Sequence, residues 1–233
     1  MIDTMRIDSA STEAPVRAVI FDMDGLLLDS ERLAIESLGL SGRELGYELS
    51  EVFCNSLIGI PTDRCRVLAA TEFGPDFPLD EFFRRHERTV ARLVDEGQLA
   101  VKPGVTELLD ELDRQGIPRA IATSSSRDRT RHHLRAAGLI ERFDVVVTRQ
   151  DVQRGKPHPE PYLTATAALD ARPEYTVACE DSPNGLRAAY AAGLRCLLIP
   201  DLAPITAGSV RLAHRVYPDL THVIGYIRGE ADE

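Results

Sequence analysis

Five short, largely apolar runs, at residues 16–21, 119–123, 144–148, 176–179 and 195–199, constrain this chain more than anything else in it. Each has strand length, and helical patterns separate the later ones. Val105, Leu108, Leu109 and Leu112 recur at helical spacing, as do Leu134 with Ala137, and Leu163 with Ala167 and Leu169. The alanine-rich stretch 185–193 reads as a helix closed by Gly193. Strands alternating with helices demand crossover connections, hence an α/β fold: a Rossmann-like parallel sheet with helices on both faces.

The first run is the exception. About 95 residues separate it from the second, far more than one crossover needs. The intervening segment is helical in pattern, and Leu79, Phe82, Phe83, His86, Val90, Leu93 and Val94 form one apolar stripe. The sequence therefore predicts a discontinuous α/β core, residues 1–31 and 101–233. An all-helical insertion, residues 32–100, would enter and leave near residues 29–32 and 99–102.

Composition narrows the function. The chain has 233 residues and a formal net charge of −10, a poor match to nucleic acid or an anionic membrane. No apolar stretch approaches the roughly 18 residues that span a bilayer. Residues 1–15 lack the pattern of a secretory signal and, with 229–233, read as frayed ends. Cys54, Cys65, Cys179 and Cys196 show no metal spacing and read as reduced thiols of a cytoplasmic protein.

Four of the runs end in polar groups. Asp22 and Asp24 close the first, Ser124, Ser125 and Ser126 the second, and Glu180 and Asp181 the fourth, while Lys156 sits in the Gly-Lys-Pro-His-Pro segment after the third. Loops at the carboxyl ends of parallel strands open on one edge, so these groups converge. Four carboxylates about one point repel unless a hard cation with oxygen ligands offsets them, and Mg²⁺ suits such a site. Lysine and serine hydroxyls add phosphate contacts. The set describes phosphoryl transfer, in which a carboxylate can itself attack phosphorus.

Singly, each piece has a plain structural meaning. Ser124–Ser126, Asp29-Ser30-Glu31 and Glu180-Asp181-Ser182-Pro183 could be helix caps, and the lysine segment a stiff turn. The basic stretch Arg127, Arg129, Arg131, His132, His133 and Arg135 reads as a solvated helix face, with Arg127 close enough to Ser124 to reach a substrate. His86 reads as packed, and His158 as a turn residue.

Taken together, the segments 22–31, 122–125, 155–157 and 180–185 resemble the four motifs of the haloacid dehalogenase superfamily, across about residues 16–200. The resemblance is to its branch of β-phosphoglucomutase, sugar-phosphate phosphatases and pseudouridine-5′-phosphatase. It implies Asp22 as a nucleophile that becomes phosphorylated and Asp24 as general acid, then base. It implies Mg²⁺ on the Asp22 carboxylate, the Asp24 backbone carbonyl and the Asp181 carboxylate, with Glu180 close by. Ser124, Ser125 and Lys156 would hold the phosphoryl group, with Arg127 beside them, and the insertion would be the family's cap.

The expected function is thus a Mg²⁺-dependent phosphatase acting, as a monomer, on a small phosphorylated molecule such as a sugar phosphate or a nucleoside monophosphate-like compound. The alternative is a β-phosphoglucomutase-type mutase. Against it, the position of the mutase's cap histidine holds Ala34, and that of its phosphate-gripping cap arginine holds Thr62, leaving Arg64 and Arg66 as the nearby cations. Asp24 speaks against a dehalogenase or a phosphonatase, and the complete acid–lysine set against an idle binding protein.

Overall fold

The computed structural model describes residues 14–230 except Gly59 and Pro61, and not the Thr62 side chain. The expected frayed ends therefore lie largely outside the described residues. At the centre stands β1 (Ala18–Phe21), flanked by β2 (Arg119–Ala122) and β4 (Thr176–Glu180). Outside these lie β3 (Val145–Val147) on one side, and β5 (Arg195–Leu198) and β6 (Arg215–Val216) on the other. The order is β3-β2-β1-β4-β5-β6 and every pairing is parallel, so all carboxyl ends face the same edge.

Alternation along each strand feeds two cores. Val19, Phe21, Ile121, Val177 and Leu197 pack with α5 (Val105–Gln115) and α10 (Leu220–Arg228). Ile20, Ala120, Ala122, Ala178 and Cys196 pack with α7 (Glu160–Ala168) and α8 (Pro183–Ala191). Burial on both faces is why these strands read as continuous apolar runs. Two expectations fail locally. The two-residue β6 has no apolar run to announce it, and Leu163 is exposed because α7 buries Tyr162 and Ala165 instead. All four cysteines are free and buried. Among the described residues no helix is long and apolar enough to cross a membrane.

Between β1 and α5 run α1 (Ser30–Glu44), α2 (Glu51–Ser56), α3 (Thr62–Phe73) and α4 (Leu79–Asp95). They share an apolar cluster that includes Leu38, Phe53, Phe77, Phe82 and Phe83, with Phe73 stacked on Phe77 at 4.8 Å. His86 packs as expected, its Nδ1 2.9 Å from the Ser37 hydroxyl. The clusters do not divide at residues 32 and 100, since Leu33, Val90, Leu93 and Val94 join the main core. The two connections lie side by side: Asp29 N–H donates to Ala100 O and Lys102 N–H to Leu27 O, both at 2.9 Å.

The remaining helices are α6 (Arg127–Ala136), after β2, and the single-turn α9 (Ala207–Val210). Phe82 is fully buried among aromatic neighbours, so Phe82→Ala should cost about 3–5 kcal/mol. The urea midpoint measures this, and a loss below about 1 kcal/mol would contradict the role given to the cluster.

Candidate active site

Four segments meet at the carboxyl edge of the sheet. After β1 the chain turns sharply, with Gly25 N–H donating to Leu28 O at 2.9 Å, which places Asp22 and Asp24 beside the ends of β2 and β4. Gly25 has φ +86°, and a Cβ there would stand 2.5 Å from Asp181 Oδ2, so only glycine fits both the backbone and the space.

Lys156 occupies the centre. Its buried ammonium donates to Asp22 Oδ1 and to Glu180 Oε1, each at 2.5 Å, and stands over the Tyr162 ring. Tyr162 O–H also donates to Glu180 Oε1, at 2.5 Å, while Ser182 donates to Oε2 through its N–H and hydroxyl. Gly185 makes room: a Cβ there would lie 1.7 Å from Glu180 Oε1. Glu180, expected beside the metal, has both oxygens engaged within the protein, Oε1 by Lys156 and Tyr162 and Oε2 by Ser182, because β4 ends with that side chain turned toward α7.

The acids differ sharply in environment. Asp24 Oδ1 accepts from the Ser30 hydroxyl and Oδ2 from the Ser125 hydroxyl, both at 2.6 Å, with an Arg129 guanidinium nitrogen 3.5 Å away. Burial pushes its pKa up, but Arg129 and the two hydroxyls outweigh this and hold the carboxyl below its ordinary value. Asp22 goes the other way, pushed up to about 7 by burial against the pull of Lys156. Lys156 itself is held above its ordinary value, since Asp22 and Glu180 more than offset its burial.

Asp181 is 1% exposed, and neither carboxylate oxygen has a hydrogen-bond partner. Burial first, then Asp22, Glu180 and Glu31, raise it well above the usual carboxylate range. A buried, unpartnered carboxylate among other acids is what a cation site looks like without its cation. Hard oxygen donors fit Mg²⁺: the Asp22 and Asp181 carboxylates are available, and Asp24, its side chain engaged, offers its backbone carbonyl. Among the described residues no three His, Cys, Asp or Glu side chains form a group able to hold a metal ion by themselves.

The remaining expected residues scatter. Ser124 is exposed at the edge, and Ser125 is bound to Asp24 rather than open to a ligand. Ser126 caps α6, accepting from Arg129 N–H. Arg127 is turned outward and paired with Asp151. Ser182 caps α8, accepting from Gly185 N–H at 3.1 Å. On α6 the solvated-face reading fails: Arg129 reaches Asp24, and His133, 1% exposed, has Nδ1 3.9 Å from it. The four-residue spacing of Arg129 and His133 was the available signal that they share one face. The Thr62 side chain lies outside the described residues, and Arg66 is paired with Asp80 over the Phe83 ring.

These shifts predict a pH dependence. Asp22 at about 7 and Glu31 at about 8 keep protons that the unfolded chain, near 3.8 and 4.5, has already released. Stability of the metal-free protein therefore falls as pH rises. His86 and His133, lowered to about 4 by burial, act oppositely but only below their unfolded value of 6.5. Between about pH 6.5 and 8 in EDTA, stability should fall by about 1–2 kcal/mol, and saturating Mg²⁺ should flatten the slope. Urea titrations measure it; a rise over this window would contradict the buried acid cluster.

Residues 19–199 match the family model described as haloacid dehalogenase-like hydrolase. A phosphorylated carbohydrates phosphatase from Thermotoga maritima is 34% identical over 179 residues, 77% of this chain and 82% of its own. A validoxylamine A 7′-phosphate phosphatase from Streptomyces hygroscopicus subsp. limoneus is 32% identical over 181 residues, 78% of this chain and 84% of its own. The crystal structure of CbbY from Rhodobacter sphaeroides in complex with phosphate superposes with a TM-score of 0.75 at 30% identity, covering 89% of this chain and 96% of that one.

Proposed function

This chain belongs to the haloacid dehalogenase-like hydrolases, and from that premise we propose that it is a Mg²⁺-dependent phosphatase cleaving the phosphate monoester of a small carbohydrate or a nucleoside monophosphate-like compound. The observation that carries the reading is the buried Asp22–Lys156–Glu180 triad standing beside the unpartnered Asp181. An ionised Asp22 held by a fixed lysine is a nucleophile with its charge balanced, and a second carboxylate without a partner is a place for a cation.

In the first step an Asp22 oxygen forms a bond to phosphorus and the ester P–O bond breaks, with Asp24 giving a proton to the departing alcohol oxygen. In the second, water attacks the aspartyl phosphate, Asp24 takes the water proton, and the bond to Asp22 breaks to release phosphate. Asp24, held ionised in the free site, is ready for the second task and must take up a proton as the substrate arrives for the first. Lys156 stabilises negative charge on the transferring oxygens, and Ser124, exposed at the sheet edge, lies where they would dock. Bound Mg²⁺ would supply charge neutralisation between Asp22 and those oxygens. The helical segment, residues 32–100, acts as a cap that shields the reaction from bulk water. Phosphatase names among the relatives do not favour the mutase alternative, and the tie of Arg66 to Asp80 and Phe83 leaves that cation engaged on its own helices.

The test is phosphate release from an aryl phosphate and a sugar-phosphate panel, with Mg²⁺ or EDTA. Activity should require Mg²⁺, and Asp22→Asn should abolish it. Lys156→Ala should cost about 3–4 kcal/mol in kcat/KM, whereas a tenfold loss or less would reduce Lys156 to a structural part. Asp24→Asn should lose most turnover yet bind Mg²⁺ as the wild type does; lost metal binding would refute the assignment of its backbone carbonyl.

A further inference from the structure

Further acids stand close to Asp181, one of the residues that would touch the cation. Glu31, on the first turn of α1, is 9% exposed, and its Oε2 is buried without a hydrogen-bond partner. Its Cδ lies 3.3 Å from the point where a Gly25 Cβ would be, and Asp181 Oδ2 lies 2.5 Å from that same point. The missing Cβ thus lets two buried carboxylates approach each other across the turn. The negative charge of Asp201, in the loop after β5, also acts on Glu31: Asp201 Oδ1 accepts from the Lys102 ammonium at 2.6 Å, while Oδ2 is buried and unpartnered. Glu31, Asp181 and Asp201 come from three distant segments, so their gathering is a product of the fold rather than of one acidic stretch.

Such an arrangement is costly without a cation, since Lys102 is the one cation paired within it and already belongs to Asp201. Mg²⁺ binds few protein groups and keeps several of its waters, and those waters need acceptors. A carboxylate with a free oxygen near a ligand, but on another element, is the usual holder of such waters, orienting the ligand and raising affinity. We infer that Glu31 is a positioning residue for the divalent cation, accepting hydrogen bonds from its water shell through the free Oε2. This rests on the Mg²⁺ site proposed above. The cation would then be held by protein carboxylates on one side and by a water layer fixed to α1 on the other, tying metal occupancy to the start of the helical segment.

The test compares wild type with Glu31→Gln in the full-length chain, by thermal unfolding in EDTA and in Mg²⁺ and by calorimetric titration with Mg²⁺. Removing one of the crowded acids should leave the EDTA melting temperature unchanged or raise it, while Mg²⁺ affinity falls about 10–100-fold and the Mg²⁺-induced rise in melting temperature shrinks. A residue with a merely structural role gives the reverse pattern, a lower melting temperature in EDTA with affinity intact. Glutamine also mimics a Glu31 that simply stays protonated, so wild-type affinity in this variant overturns the inference. Should Glu31→Gln fail to fold, Glu31→Asp keeps the charge one methylene short and must weaken Mg²⁺ by about fivefold or more, wild-type affinity again overturning it. If the wild type itself shows no Mg²⁺ response, the metal reading fails and this inference with it; a responding wild type with an unaltered variant sinks the inference alone.

Discussion

The Lys156 ammonium, held between Asp22 and Glu180, is the interaction on which the rest of the site depends. Burying one ammonium against two carboxylates is tolerable only if further hydrogen bonds offset the lost hydration. The fold meets this demand from several directions. Tyr162 on α7 and Ser182 before α8 complete Glu180, and Gly185 is absent of side chain where that carboxylate sits. Strands β1 and β4, the segment after β3, and two helices are thereby locked to one charged centre. Asp22 meets the lysine through Oδ1, and its second oxygen is the one left for chemistry.

Environment then separates acids that look alike in sequence. Asp24 has two hydroxyl donors and a guanidinium and is stabilised as an anion; Asp181, one strand away, has none. The same residue type is thus a hydrogen-bonded anion in one place and an unpartnered acid in the other. What distinguishes them is the neighbouring helix. The loop before α6 and its first turns supply Ser125 and Arg129 to Asp24, whereas Asp181 faces the turn at Gly25 and the acid of α1.

Much of this was legible in the chain itself. Apolar runs marked five of the six strands because burial on both faces leaves little room for polar residues, and the long first connection marked the helical segment. Asp22, Asp24, Lys156 and Asp181 were legible because strand ends in a parallel sheet converge. The rest depends on side-chain direction, which spacing does not encode. Glu180 and Asp181 are adjacent, yet successive side chains leave a strand end on opposite sides, and one meets Lys156 while the other meets the cluster of acids. Arg127 and Arg129 are two apart on a helix and so point different ways, outward to Asp151 and inward to Asp24. Tyr162 had no signal of its own, since it reaches the site from a helix, and Ser30 and Glu31, though inside the segment 22–31, read there only as a helix start.

The side-by-side connections at Leu27–Asp29 and Ala100–Lys102 also bear on how such a protein can change over time. The chain leaves and re-enters the sheet at one paired point, α1 and α4 put Leu33, Val90, Leu93 and Val94 into the main core, and α2 and α3 pack in a separate cluster beyond them. Helices there can be lengthened, exchanged or repacked without disturbing strand register, at a chain-closure cost that grows only slowly with length. The acids and lysine at the sheet edge are thereby set apart from α2 and α3, and each part can vary while the other holds still.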